Sequence, residues 1–64
     1  MYNPSESEKE ICYSIVRELL RGFREKEYEK IVDEIFQTTY SIGGDFGEHT
    51  LRKVANIVIR NYIS

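Results

Sequence analysis

The stretch SIGGDFGEHTLRK, residues 41–53, gathers the side chains of this sequence best suited to chemistry. It holds His49, the one histidine, with Asp45 and Glu48 beside it, and three of the four glycines. A spacing of four places Asp45 and His49 on one side of a helix, where a carboxylate and an imidazole can share a metal ion. A metal site needs further ligands, and none stands nearby with suitable spacing. General-base work by His49 would also need a nucleophile and an oxyanion site within reach. Cys12, the one thiol, falls in the middle of an apolar helical stripe, the usual place of an inert structural cysteine. No catalytic residue, cofactor or metal is therefore expected, and the chain reads as non-enzymatic.

Two short strings in the same stretch coincide with known signatures, GGDF with that of diguanylate cyclases and DFG with the magnesium motif of protein kinases. Both signatures work inside folds several times longer than 64 residues, so they imply no function here. The glycines also lack the G-x-x-x-x-G-K spacing of a phosphate loop.

The residues after the glycines suggest a surface instead. His49, Arg52, Lys53, Asn56 and Arg60 fall within about 100° of one another on a helix, with no carboxylate inside the strip. Up to Glu34 the chain carries nine acidic and six basic residues; the remainder carries two and three, completing totals of 11 and 9. Arginine, lysine and asparagine on a final helix are the side chains that reach phosphates and base edges in a major groove. DNA is the alternative partner this strip suggests. Against it, the net charge is −2, whereas nucleic-acid binders are commonly basic. The ten residues from Ser41 to Thr50 also make a long turn for a helix-turn-helix.

Apolar spacing supplies the elements that would position these groups. It is helical throughout, and predicts an all-α, single three-helix domain with helices at about 4–21, 25–41 and 46–63. Asn3, Pro4 and Glu6 look like the cap, first position and capping-box partner of the first helix. Ile11, Cys12, Ile15, Val16, Leu19, Leu20 and Phe23 fill one side of it. The second stripe, Tyr28, Ile31, Val32, Ile35, Phe36 and Thr39, lies about 180° out of phase with the first. A turn at Gly22 lets both face one core. Lys26 and Glu29, and Lys30 with Asp33 and Glu34, are spaced to pair on the exposed side. Gly43 and Gly44 close the second helix, and Asp45 with Glu48 reads as a capping box opening the third.

That third helix carries a core stripe of Leu51, Val54, Ala55, Val58 and Tyr62. Ile57 lies to one side of it, Ile59 and Ile63 to the other, widening the apolar arc to about 240°. A chain this short buries only about 60% of its unfolded surface and has little core with which to offset about 1.5 kcal/mol per ordered residue. A homodimer packed through the third helix answers both points, with Ile57, Ile59 and Ile63 as anchors. Tyr13, off the first stripe, is a further contact residue. The function this implies is regulation or adaptation by protein–protein contact, between two copies and with an unidentified protein partner. No apolar run approaches the ~18 residues of a membrane span, the start is polar and acidic rather than signal-like, and a lone cysteine suits a reducing compartment. The expected location is cytoplasmic, without a membrane partner.

Overall fold

Residues 2–63, those the computed structural model describes, fold into α1 (Glu6–Leu19), α2 (Glu25–Ser41) and α3 (Glu48–Ile63). α1 begins two residues later than the Asn3–Pro4 signal implies. Ser5 is its N-cap: the hydroxyl oxygen accepts from the Glu8 N–H at 3.2 Å, and the Glu8 carboxylate accepts from the Ser5 N–H at 2.9 Å. This is a complete capping box. Asn3 and Glu6 have the same spacing, but the residues ahead of Ser5 are drawn across α2. There the Tyr2 N–H donates to Gln37 Oε1 at 3.3 Å, and Gln37 Nε2 donates to the Tyr2 carbonyl at 3.2 Å.

The turn expected at Gly22 is present. α1 ends at Leu19, Leu20 is extended, and Gly22 takes φ +86°. Apart from its chain neighbours, no described residue comes within 4 Å of where a Cβ would stand, so backbone strain rather than lack of space selects glycine. α2 then starts without a Ser, Thr, Asp or Asn cap. Glu27 does half of that work, its carboxylate accepting from the Arg24 N–H at 3.1 Å; an arginine side chain has no acceptor to return. At the far end Gly43 has φ +69°. The Gly44 N–H donates to the Thr39 carbonyl and the Gly43 N–H to the Tyr40 carbonyl, each at 3.1 Å. That 6→1, 5→2 pairing is a Schellman motif, and it ends α2 where the glycines predicted.

α3 starts at Glu48 rather than Phe46. Asp45 Oδ1 accepts from the Gly47 N–H at 2.9 Å, closing a tight turn on its own backbone instead of capping from beside Glu48. Phe46 leaves the helix and stacks on Tyr2, with ring centroids 3.9 Å apart and planes 3° from parallel.

All three helices touch one another. The Cα radius of gyration of 10.6 Å matches the roughly 10.7 Å of a compact chain of this length. The core joins Cys12, Ile15, Val16 and Leu20 to Tyr28, Ile31, Val32, Ile35 and Phe36, and to Leu51, Val54, Ala55, Val58 and Ile59. Ile59 is a correction. The apolar pattern of α3 alone places it on an outer flank, but α3 touches α1 as well as α2, so a wider arc is covered and Ile59 is 7% exposed. Tyr62 is the opposite correction: expected in the core stripe, it stands 42% exposed in the last turn. Tyr28 is buried, as its place on the second stripe predicts. Its hydroxyl donates to the Leu20 carbonyl at 2.7 Å, satisfying a group that α1 leaves open at its end.

Candidate functional site

The basic strip on α3 is only partly free. Arg52 is held by two carboxylates, Glu18 of α1 at 2.5 Å and Glu48 one turn earlier at 3.5 Å. Hydrogen bonding to Glu18 first, and then its charge, raises the Arg52 pKa above its ordinary value. The expectation of a strip without carboxylates is thus corrected, because Glu18 arrives from a neighbouring helix that the pattern of one helix does not reveal. His49, Lys53, Asn56 and Arg60 are exposed. Among the described residues, no carboxylate lies within ion-pair distance of Lys53 or Arg60.

The apolar candidates do not form one patch. Ile57 is 60% exposed, Ile63 is 59% exposed, and Ile59 is buried between them. On a helix, positions 57 and 63 lie about 9 Å apart along the axis and about 120° apart around it. Ile57 borders a groove between α2 and α3 whose walls are Glu34, Thr38, Val58, Asn61 and Tyr62. Glu34, Thr38 and Ile42 form an i, i+4, i+8 row on α2, and Ile42, the C-cap, is 65% exposed. Sequence patterning places Glu34 on a solvated face and gives no signal for Thr38 or Ile42. The signal that finds them is that α2 and α3, joined by a short turn, lie side by side.

Tyr13 lies elsewhere, on the seam of α1 and α2. It is half-buried, with the Arg17 guanidinium 5.3 Å from its ring centroid and Arg17 in turn bonded to Glu25 at 2.8 Å. Burial, followed by the charges of Glu29 and Glu25, raises its phenol pKa. The ion pairs expected along α2 alone do not form; apart from Lys9–Glu6 and Glu48–Arg52, the pairs join one helix to another. Exposed pairs of this kind contribute under about 1 kcal/mol each.

The groups that could do chemistry are far apart in role. Burial pushes the Cys12 thiol up to about 12 and leaves it 0% exposed, away from any nucleophilic use. Asp45 is held below its ordinary pKa by the Gly47 N–H, then the Thr50 hydroxyl, with a lesser contribution from the charge of His49. Its carboxylate is thereby committed to the turn. Among the described residues no three His, Cys, Asp or Glu side chains come together as metal ligands. Among the described residues, no helix is long and apolar enough to cross a membrane.

A feature the sequence did not disclose is the clamp around Tyr2. Its ring stacks on Phe46, and stands 6.0 Å from Phe36 and 5.9 Å from Tyr40. Its hydroxyl donates to Glu8 Oε1 at 2.7 Å. Tyr2 and Phe46 are 44 positions apart, beyond any periodic signal. No family model, curated protein or solved structure matches this chain.

Proposed function

We propose that this chain is a small non-enzymatic interaction module, a regulator or adaptor of other proteins, that works as a homodimer joined through the outer face of α3. The observation that carries this is Ile57: a mid-helix isoleucine, 60% exposed, bordering an open groove. Full burial of such a side chain stabilises by about 1.5–3 kcal/mol, and a two-fold dimer gains the benefit twice. A small stable interface covers on the order of 600 Å² per partner, a modest share of the 4512 Å² this chain exposes. The non-enzymatic reading draws on the committed roles of Cys12 and Asp45. A free, buried thiol also fits a reducing compartment such as the cytoplasm. The test is Ile57→Asp, read by light scattering. The variant should keep its helix content and halve its mass; an unchanged mass contradicts the proposal.

The second reading is a DNA-binding regulator, favoured by the exposure of Lys53, Asn56 and Arg60 together on α3 with His49. It predicts duplex binding at ~50 mM salt, and a log–log salt slope that Lys53→Ala and Arg60→Ala each reduce by about one unit. Failure to retain duplex DNA at that salt removes it.

A further inference from the structure

We infer that the slot around Tyr2 is a tyrosine-reading peptide site. The chain fills it with its own residues 2–4, and an extended segment of another protein, with lysine or arginine following its tyrosine, takes their place. The inference rests on the adaptor reading above, adding where the other protein docks, and is independent of the dimer on α3.

The slot reads main chain and side chain separately. One side-chain amide, that of Gln37, accepts from the Tyr2 N–H at 3.3 Å and donates to the Tyr2 carbonyl at 3.2 Å. Every extended peptide offers that pair of groups, and main-chain pairing of this kind gives affinity whatever the sequence. Selection lies in the ring. Phe46 stacks on it with centroids 3.9 Å apart, Phe36 and Tyr40 flank it at 6.0 and 5.9 Å, and Glu8 accepts from its hydroxyl at 2.7 Å. A phenylalanine leaves that carboxylate without its donor, and a phosphotyrosine sets two negative groups against each other. The ligand is therefore an unmodified tyrosine.

The walls of the slot do not depend on its present occupant. Glu8 keeps its place through the Ser5 N–H, which bonds the same carboxylate oxygen at 2.9 Å. Gln37, Phe36 and Tyr40 stand on α2. Phe46 is carried by a turn fixed on both sides, where the Gly44 N–H donates to the Thr39 carbonyl and Asp45 Oδ1 accepts from the Gly47 N–H. Gly44 packs so closely that an added Cβ would stand 3.2 Å from the Thr50 methyl and 3.4 Å from that of Thr39. Residues 2–4, by contrast, belong to no helix, so they leave without unwinding one.

Charge gives an incoming segment its advantage. Beyond Tyr2, Asn3 and Pro4 run along an open cleft of about 290 Å³ between α1 and α2, whose charged walls are Lys9, Glu29 and Asp33. Lys9 stands 3.8 Å from Glu6. Glu29 and Asp33 are exposed and have no ion-pair partner among the described residues. Asn3 and Pro4 bring them no charge, whereas a lysine or arginine after the tyrosine does. Those contacts offset the tether of the internal segment, an effective concentration on the order of millimolar.

The experiment titrates the whole, isotope-labelled chain with an end-blocked peptide carrying Tyr-Lys-Arg. Binding is read by NMR at the Phe46 and Tyr40 rings and the Gln37 amide, with circular dichroism to check that each variant folds. Tyr2→Ala empties the slot and should bind the peptide about tenfold or more tightly than wild type. Tyr2→Phe, which keeps the stack and loses the Glu8 bond, should fall between them, and it decides the matter if Tyr2→Ala does not fold. Peptides carrying Phe-Lys-Arg or Tyr-Ser-Ser should each bind about threefold or more weakly, having lost the Glu8 bond or the contacts with Glu29 and Asp33. Controls that bind as tightly overturn the selection of tyrosine or of the basic residue. Equal affinity of wild type and variants, or no shift at these groups up to millimolar peptide, overturns the site itself. Neither result touches the dimer, which Ile57→Asp tests separately.

Discussion

The end of the molecule around Phe46 and the groove beside Ile57 both display apolar side chains of α2 or of the chain that follows it, although Glu34, Thr38 and Asn61 also line the groove. They differ in what covers them. At the Phe46 end the segment before α1 folds back: Tyr2 stacks on Phe46, hydrogen-bonds Glu8 and exchanges two further bonds with Gln37. Phe36 beneath it is 2% exposed. Along the groove, no described segment crosses Ile57, and Ile42 on the neighbouring row is equally open. One region is completed from within the chain; the other is left open, and the dimer proposed above would cover it. The lesson is that exposed apolar surface on a small domain has to be judged against the segments able to reach it, not against the helix that carries it.

Substitutions on the two sides should therefore separate sharply. Phe36→Ala empties part of the covered core and should cost about 3–5 kcal/mol, enough to unfold most of a chain this small; urea titration measures it. Ile57→Ala, assayed in dilute solution where the chain is monomeric, should change the midpoint by less than about 0.5 kcal/mol. Comparable losses at both positions would erase the distinction.

Tyr2→Ala strips the clamp without touching the helices and should lower the urea midpoint by less than Phe36→Ala and by more than Ile57→Ala, because it removes a stacked pair and a hydrogen bond to a carboxylate. Tyr2→Phe keeps the stack and should lose under half of that. Equal effects from the two variants would mean that the hydroxyl, not the ring, holds the segment down.

The smallest effect is with pH. Glu8 is held below its ordinary value of 4.5 by the Tyr2 hydroxyl first and the Ser5 N–H next. The unfolded chain takes up that proton more readily, so the stability Glu8 contributes is complete above pH 4.5 and is lost as pH falls through the lower, folded value. Denaturant midpoints of wild type should fall more steeply below pH 4.5 than those of Glu8→Gln. Parallel curves would assign the loss to other carboxylates.

What the sequence disclosed follows the range of each interaction. α2 was legible at both bounds, because its stripe is unbroken and Gly43–Gly44 build a local motif. The turn at Gly22 was legible from the phase of two stripes. The start of α1 turned on a choice between Asn3–Glu6 and Ser5–Glu8, which have the same spacing; contacts of Tyr2 with α2 decided it, and these are remote in sequence. The same remoteness hid Phe46, pulled off the start of α3 by a ring 44 residues away. Ile59 and Arg52 were misjudged for a common reason. Each lies where α3 meets α1, and the periodicity of one helix does not say how many neighbours it has. Of the candidate surface, the outward positions of Ile57 and Lys53 were each legible on α3, whereas the groove of Glu34 and Thr38 beside Ile57 exists only through the packing of α2 on α3.

The most direct test is an NMR dilution series of the unmodified chain with labelled isoleucine methyl groups and aromatic rings. Ile57 and Ile42 should shift with concentration while Phe36, Phe46 and the buried Ile15 and Ile31 stay fixed. Spectra unchanged across the series, or shifts centred on the Tyr2 clamp, would contradict a second copy packed on α3 around Ile57.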